Sequence, residues 1–230
     1  MKKNLLLILL LMFLSWAANA GERNEIIASY AFDAPFGIST NRQKLVSYLT
    51  RPYRSDYEKL QSIAYWIASH IAYDGYKYNN GKISLKELNY EYDVLQYRTG
   101  ICTDYAKLFA DMAKDAGISG VEYVTGYVLE NQNKIKRRYT SRDINGIGHA
   151  WNRVQLGKRK FFVDTTFMAE GHIGGDKIRA ASSLKHKVDL KKRSYKNIVN
   201  MTIYDFFFDF TPEQELRRYK TIHLMDKYIN

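Results

Sequence analysis

A cysteine, a histidine and an aspartate occur in that order along the chain, and together they could support nucleophilic catalysis. Cys102 is the only cysteine in 230 residues, so it has no partner for a disulfide within the chain. Catalysis by cysteine requires a thiol held near its thiolate form, a base within hydrogen-bonding distance and a group that orients the base. We predict that Cys102 is the nucleophile, His149 the base and Asp164 the orienting group. The elements that carry these residues must therefore bring them together.

Cys102 stands at the start of a run with strong helical periodicity. The apolar residues after it recur at intervals of three and four, which predicts a helix with Gly117 as its C-terminal cap. At the first turn of a helix, unpaired backbone N–H groups and the helix dipole favour a thiolate over a thiol. The position of Cys102 therefore meets the first requirement. The apolar positions are Tyr105, Leu108, Phe109, Met112 and Ala116.

His149 and Asp164 fall on the two predicted strands of one hairpin. The strands cover residues 149–155 and 160–165, and a tight turn around Gly157 joins them. Depending on whether the turn centres just before or just after Gly157, Asp164 lies directly opposite His149 or diagonal to it. In both registers the two side chains point to the same face, because side chains alternate along a strand. The hairpin thus predicts a histidine–aspartate pair.

Simpler interpretations of each residue stay open. A cysteine near a helix start is often a small buried residue, while His149 alone could be a core histidine and Asp164 alone a strand-end aspartate. One cysteine and scattered histidines show no metal-ligand spacing, so we predict no metal and no cofactor. The other histidines belong to a helix, to a lysine-rich run or to segments without a clear assignment. They are His70, His172, His186 and His223.

The remaining pattern predicts helices first and an antiparallel sheet afterwards, which makes the fold class α+β. Capping boxes at Ser55 and Ser84 open two helices, and Thr211 followed by Pro212 opens another near the C-terminus. Val121–Glu130 reads as a further strand because it is rich in β-branched and aromatic residues. The predicted helices before the sheet cover about 40–49, 56–72, a stretch from 84 toward 97, and the run after Cys102.

The N-terminus has the parts of a secretory signal peptide. Two lysines precede the apolar run Leu5–Leu14, and Ala18-Asn19-Ala20 supplies small residues before a cleavage site. The run is short for a membrane span, although a retained N-terminal anchor is the alternative. We expect a signal peptide over residues 1–20, then a single domain over 21–230 that is periplasmic or secreted and has no membrane span after cleavage.

The chain is strongly basic, with a formal net charge of +11. Much of the excess lies in Lys134–Arg138 and Lys185–Lys196. Such runs are usually solvated loops, and the functional alternative is attraction to an acidic envelope surface. No nucleic-acid motif occurs, and an exported protein seldom meets nucleic acid, so we expect no nucleic-acid partner.

Several motifs together resemble the transglutaminase-like superfamily. Three segments look similar to the branch that includes kyphoscoliosis-type peptidases: Trp66-Ile67-Ala68, Ile71-Ala72-Tyr73-Asp74 and Tyr204–Pro212. The resemblance implies a papain-like core, in which N-terminal helices pack on an antiparallel sheet, and Cys102, His149 and Asp164 occupy the family's three catalytic positions. Ile101 and Thr103 depart from the Gly-Gln-Cys-Trp pattern of calcium-dependent animal transglutaminases. The motifs are Trp66-Ile67-Ala68, Ile71-Ala72-Tyr73-Asp74, Gly100-Ile101-Cys102-Thr103-Asp104-Tyr105-Ala106, Leu108-Phe109, Gly126-Tyr127, His149-Ala150-Trp151-Asn152 and Phe162-Val163-Asp164-Thr165-Thr166.

The predicted function is acyl transfer through a thioester on a protein or peptide substrate. With water as the acceptor the enzyme would be a peptidase or deamidase, and with an amine a transglutaminase. The alternative is a catalytically silent binding module of the same fold. The backbone N–H of Cys102 is the expected first donor to the oxyanion, and the sequence identifies no second donor. Trp151 shares the parity of His149 and either lines the cleft or belongs to the core, whereas Trp66 is expected to be packing.

Overall fold

The computed structural model describes residues 22–73, 94–96, 98–128, 148–170, 208–211 and 219–221. Helices come first along the chain and an antiparallel sheet follows, so the fold class is α+β. The helices are α1 (22–32), α2 (Arg42–Thr50), α3 (Asp56–His70), α4 (Cys102–Asp115) and α5 (Thr165–Glu170), with a 3-10 turn at Phe36–Ile38. The strands are β1 (Ala72–Tyr73), β2 (Thr99–Gly100), β3 (Val121–Val128), β4 (Gly148–Leu156), β5 (Arg159–Val163), β6 (Phe208–Phe210) and β7 (Tyr219–Thr221).

Helix α3 is the central buried helix of the described core. Ser55 caps it as predicted, because its hydroxyl accepts the N–H of Glu58 at 3.2 Å and donates to the Glu58 carboxylate at 2.9 Å. Its residues from Leu60 to His70 are buried, Trp66 among them, which confirms Trp66 as packing. The prediction that this helix reaches Ala72 was wrong by two residues, because Ala72 and its neighbour form β1 and pair in parallel with β2.

Helix α2 begins two residues later than the predicted start at Thr40. The side chain of Asn41 accepts the N–H of Lys44 at 2.9 Å, and this bond fixes Asn41 as the N-cap. The helix packs Leu45, Val46 and Leu49 into the core.

The main sheet has five strands in the order β6-β5-β4-β3-β7, and all neighbours are antiparallel. In the β4–β5 hairpin, Asn152 lies opposite Val163, so the turn falls at Gly157–Lys158 and Asp164 is diagonal to His149. This confirms the second of the two predicted registers. The predicted end of the second strand at residue 165 was wrong, because β5 ends at Val163 and α5 follows.

Helix α4 packs against β3 and β4 and begins at Cys102, which confirms that the cysteine lies in the first turn. The side-chain amide of Asn152 donates to the backbone oxygen of Ala106 at 2.9 Å, which ties the helix to the middle of the sheet. At the other end of the helix, Gly117 has a φ of 79°, and Ile118 N–H bonds to the oxygen of Ala113 at 2.9 Å. The predicted glycine cap is therefore confirmed.

Several predictions fall outside the described residues. They concern the signal peptide over residues 1–20, the helix after Ser84 apart from helical residues 94–96, both basic runs and the helix after Thr211. Within the described ranges, none of the helices combines the length and apolar character that crossing a bilayer requires. The single domain over 21–230 stays a prediction.

Gly120 is a position where the chain between α4 and β3 leaves no room for a side chain. The N–H of Gln155 donates to the backbone oxygen of Gly120 at 2.7 Å. A Cβ at residue 120 would overlap the backbone oxygen of Gln155. We expect Gly120→Ala to lower the free energy of unfolding by about 3 kcal/mol, since two backbone segments must separate. Gly37→Ala is the matched control, because a Cβ there meets no atom within 4 Å. Urea unfolding measures both variants, and equal losses would contradict the prediction.

Candidate active site

Cys102 is the first residue of α4 and is buried, with 4% of its surface exposed. Ile101 precedes it in an extended conformation and acts as the N-cap. Within the described part of the chain, the backbone N–H groups of Cys102 and Thr103 have no hydrogen-bond acceptor. The sulfur therefore lies beside two unengaged donors at the positive end of a helix, where negative charge is stabilised.

The backbone on either side of the thiol is fixed by Asp104. Its carboxylate accepts the N–H of Ile101 at 2.9 Å, while its own N–H donates to the oxygen of Ile101 at 2.8 Å. Gly100 lies so close that a Cβ there would be 2.8 Å from the Cβ of Asp104. Asp104 is buried, and its carboxylate completes the N-terminal turn that Ile101 cannot cap with its own side chain. The capping role of Asp104 was not predicted, although an aspartate at the third helical position is a capping signal.

His149 and Asp164 meet in the interior at the end of the hairpin. The distance from His149 Nε2 to Asp164 Oδ2 is 2.7 Å, and both side chains are fully buried. The other carboxylate oxygen of Asp164 accepts the N–H of Phe167 at 3.0 Å, so Asp164 also caps α5. One carboxylate thus holds the imidazole ring and starts the next helix.

The charge state of His149 depends on both neighbours. Burial alone would lower the pKa of His149, but the negative charge of Asp164, the hydrogen bond to it and the interaction with Cys102 together raise that pKa from 6.5 to about 10. At neutral pH the ring is therefore an imidazolium paired with the carboxylate of Asp164.

Two aromatic rings, one from β4 and one from α5, stack on the imidazole of His149. The ring of Phe167 in α5 stacks on His149 with 4.5 Å between centroids, and that of Trp151 does so at 6.1 Å. Trp151 is completely buried, so it belongs to the core rather than to an open cleft wall. The flat contacts restrict rotation of the imidazole, which the bond to Asp164 alone would permit.

Tyr123 on β3 is a second residue near the thiol that the sequence analysis missed. Burial, followed by the negative charges of Cys102 and Asp104, raises the pKa of Tyr123. Its position follows from the register that pairs it with Asn152, and the long polar connection between β3 and β4 makes that register unreadable from the sequence.

The remaining candidates do not join this cluster in the described structure. His70 lies in α3, stacked on Trp66, and burial together with the charge of Arg98 lowers its pKa to about 3. It is therefore a neutral core residue. The other three histidines lie outside the described residues. Among the described residues, no group of three or more histidine, cysteine or acidic side chains could hold a metal ion.

The order of the motifs and this geometry agree with a comparison to known families. The family model for the transglutaminase-like superfamily matches residues 43–165, more than half of the chain. The chain belongs to the transglutaminase-like superfamily. This superfamily contains cysteine-dependent enzymes, and the matched range includes Cys102, His149 and Asp164.

Curated relatives and solved structures extend the comparison. The chain is 31% identical over 131 residues to the kyphoscoliosis peptidase of Mus musculus and 32% identical over 126 residues to that of Homo sapiens. These matches cover 56% and 54% of this chain but only 18% of each relative. They support the family and the branch that the motifs predicted. A structure of a TGase shares 18% identity, covering 77% of this chain and 37% of that chain, at a TM-score of 0.39.

The raised pKa of His149 predicts a pH-dependent stability. The folded state keeps the proton on His149 up to about pH 10, whereas an unfolded histidine releases it near 6.5. Between these values the unfolded state binds fewer protons, so stability falls as pH rises. We expect the Tm advantage of the wild type over His149→Gln to be largest below pH 6.5 and to shrink from there to about pH 10.

A Cys102→Ala variant separates the two causes of this shift. Because Asp164 makes the larger contribution, the decline should persist in that variant but end at a lower pH. Thermal unfolding followed by circular dichroism across this range provides the measurement. A Tm advantage that stays constant over the whole window would mean that His149 is not charged in the folded protein.

Proposed function

We propose that this protein is an exported cysteine-dependent acyl-transfer enzyme that acts on peptide or glutaminyl carboxamide bonds through a thioester. Membership in the transglutaminase-like superfamily supports a cysteine-dependent enzyme. The observation that carries the proposal is the buried pairing of His149 with Asp164 at 2.7 Å, beside Cys102, which also contributes to the raised pKa of His149. A merely structural cysteine has no need of such a neighbour.

The first half of the reaction begins at the sulfur. The thiolate of Cys102 attacks the carbonyl carbon, a C–S bond forms, and the π electrons of the C=O bond move to oxygen. The backbone N–H of Cys102 is placed to donate to that oxygen, since it has no acceptor within the described part of the protein. The helix dipole of α4 further stabilises the negative charge.

His149 then completes the transfer. As the tetrahedral intermediate collapses, the C–N bond breaks and the proton on Nδ1 of His149 passes to the departing nitrogen. The neutral ring next removes a proton from the acceptor, which attacks the thioester and releases Cys102. Asp164 stabilises the imidazolium before the first proton transfer and again when the ring takes a proton from the acceptor.

Peptide-bond hydrolysis is the form of this reaction to test first. The curated relatives are named as peptidases, and water is the acceptor in that reaction. Deamidation uses the same acceptor on a glutaminyl side chain, and transglutamination replaces water with an amine. The three activities share one acylation step and differ in the acceptor that reaches the thioester.

Export and envelope contact complete the proposal. The N-terminal segment has the composition of a signal peptide, which supports a periplasmic or secreted protein acting on protein or peptide substrates. The net charge of +11 supports an attraction to acidic envelope surfaces. Fractionation of cells that express the full chain, with N-terminal sequencing of the product, tests cleavage after residue 20.

A second candidate function is a binding module of the same fold without turnover. The observation that favours it is the low exposure of Cys102 and His149, 4% and 3% respectively. A thiol this deeply buried reacts slowly unless the site admits an extended chain or a small reagent. The experiment that tests the enzyme separates the two.

We expect Cys102 to react with iodoacetamide at pH 6 about 100-fold faster than an ordinary thiol, which is less than about 1% ionised at that pH. His149→Ala should remove most of this advantage, because the imidazolium that stabilises the thiolate is lost. Asp164→Asn should lower the rate about tenfold, since asparagine still caps α5 but lacks the charge that keeps His149 protonated.

The measurement is mass spectrometry of labelled protein against time, with circular dichroism to show that each variant is folded. Cys102→Ala is the control, and it must abolish labelling because the chain has no other cysteine. A rate that follows an ordinary thiol and ignores His149 would favour the silent binding module. Rapid labelling would then be followed by assays of hydrolysis and of amine incorporation into protein.

A further inference from the structure

The register of the sheet places Tyr123 against the first turn of the helix that carries the thiol. Tyr123 lies directly opposite Asn152 in the β3–β4 ladder, so the two side chains share a face. Asn152 donates to the backbone oxygen of Ala106, which lies one helical turn after Cys102. A side chain beside Asn152 on this face therefore reaches the N-terminal end of α4.

The hydroxyl of Tyr123 is a donor beside the first turn of α4. The negative charges of Cys102 and Asp104 both contribute to its raised pKa, so the phenol lies near both residues. The residue is half-buried, and within the described part of the protein its hydroxyl has no hydrogen-bond partner. Because Tyr123 is only half-buried, its hydroxyl is available to a group that binds at Cys102.

The two backbone donors beside the sulfur both belong to the first turn of α4, and a donor from another direction would complete the site. Acyl transfer develops negative charge on the carbonyl oxygen, and two donors usually stabilise it. The backbone N–H of Cys102 supplies one. The N–H of Thr103 points along the helix axis in the same direction as that of Cys102. The hydroxyl of Tyr123 comes instead from the sheet, so it can donate from a different side. A phenol there also stays protonated, because burial and the nearby negative charges raise its pKa.

We infer that Tyr123 is a further catalytic residue, whose hydroxyl donates a hydrogen bond to the oxygen of the acyl group that Cys102 attacks. When the C–S bond forms, the electron pair of the C=O bond moves to oxygen, and the oxyanion accepts bonds from the Tyr123 hydroxyl and the Cys102 N–H. No proton leaves Tyr123. When the C=O bond re-forms and the C–N bond breaks, the hydroxyl returns to a weaker bond with the thioester oxygen.

This inference rests on the proposed function, so its test separates attack by sulfur from stabilisation of oxygen. Iodoacetamide alkylates the thiolate by displacement at carbon and creates no oxyanion. N-acetylglycinal is a small peptide aldehyde. The thiolate adds to its aldehyde carbon, and the aldehyde oxygen then occupies the place of the oxyanion in a tetrahedral adduct that resembles the intermediate. Protection of Cys102 from iodoacetamide by N-acetylglycinal gives the dissociation constant of this adduct without any knowledge of the natural substrate.

Tyr123→Phe retains the ring and its packing and removes only the hydroxyl. We expect its rate of alkylation by iodoacetamide to stay within twofold of the wild type, while its dissociation constant for N-acetylglycinal rises about 10- to 100-fold. Tyr48→Phe is the matched control, because Tyr48 is also half-buried but lies on α2, away from the thiol. It should change neither quantity.

The outcomes distinguish the two proposals. If the wild type is alkylated rapidly with dependence on His149, and Tyr123→Phe binds the aldehyde as tightly as the wild type, the inference about Tyr123 is overturned and the Cys–His pair stands. A wild type that reacts with iodoacetamide but gains no protection from the aldehyde also overturns it. If Cys102 of the wild type reacts as an ordinary thiol, the proposed function fails and the role of Tyr123 fails with it.

Discussion

The buried contact between His149 and Asp164 is the interaction on which the site depends. Moving a carboxylate and an imidazolium out of water is costly, and only close pairing with further hydrogen bonds offsets the loss of hydration. The pair meets this condition because one oxygen of Asp164 takes the ring of His149 at 2.7 Å and the other takes the backbone N–H of Phe167 at 3.0 Å. The end of β5, the start of α5 and the orientation of the imidazole are therefore set by a single side chain.

The second constraint is the position, along the sheet, of the helix that carries the nucleophile. Apolar packing between α4 and the sheet is non-directional, so it fixes separation better than it fixes sliding. The bond from Asn152 to the oxygen of Ala106 supplies the direction, because an amide and a carbonyl must align to within a narrow angle. Cys102 is one turn away from that bond, and its position along the sheet is fixed accordingly.

The sequence predicted the parts of this arrangement that follow from local periodicity. The place of Cys102 in the first turn of α4 follows from apolar spacing, and the shared face of His149 and Asp164 follows from strand parity in a short hairpin. The end of β5 did not follow, because the β-branched Thr165 and Thr166 resemble a strand, and the bond from Phe167 that makes them helical depends on Asp164. Tyr123 could not be placed, since a long connection separates its strand from the partner that defines its register.

The close approach of Gly100 to Asp104 has a consequence for how this chain can vary. Residue 100 can gain a side chain only if residue 104 becomes smaller, because their Cβ atoms would be 2.8 Å apart. Residue 104 cannot shrink without releasing the N–H of Ile101, which its carboxylate holds at 2.9 Å. Asp104 thus blocks a side chain at residue 100, and the bond to Ile101 opposes change at Asp104 itself, so the five residues from Gly100 to Asp104 tolerate substitution only together, with the cysteine among them.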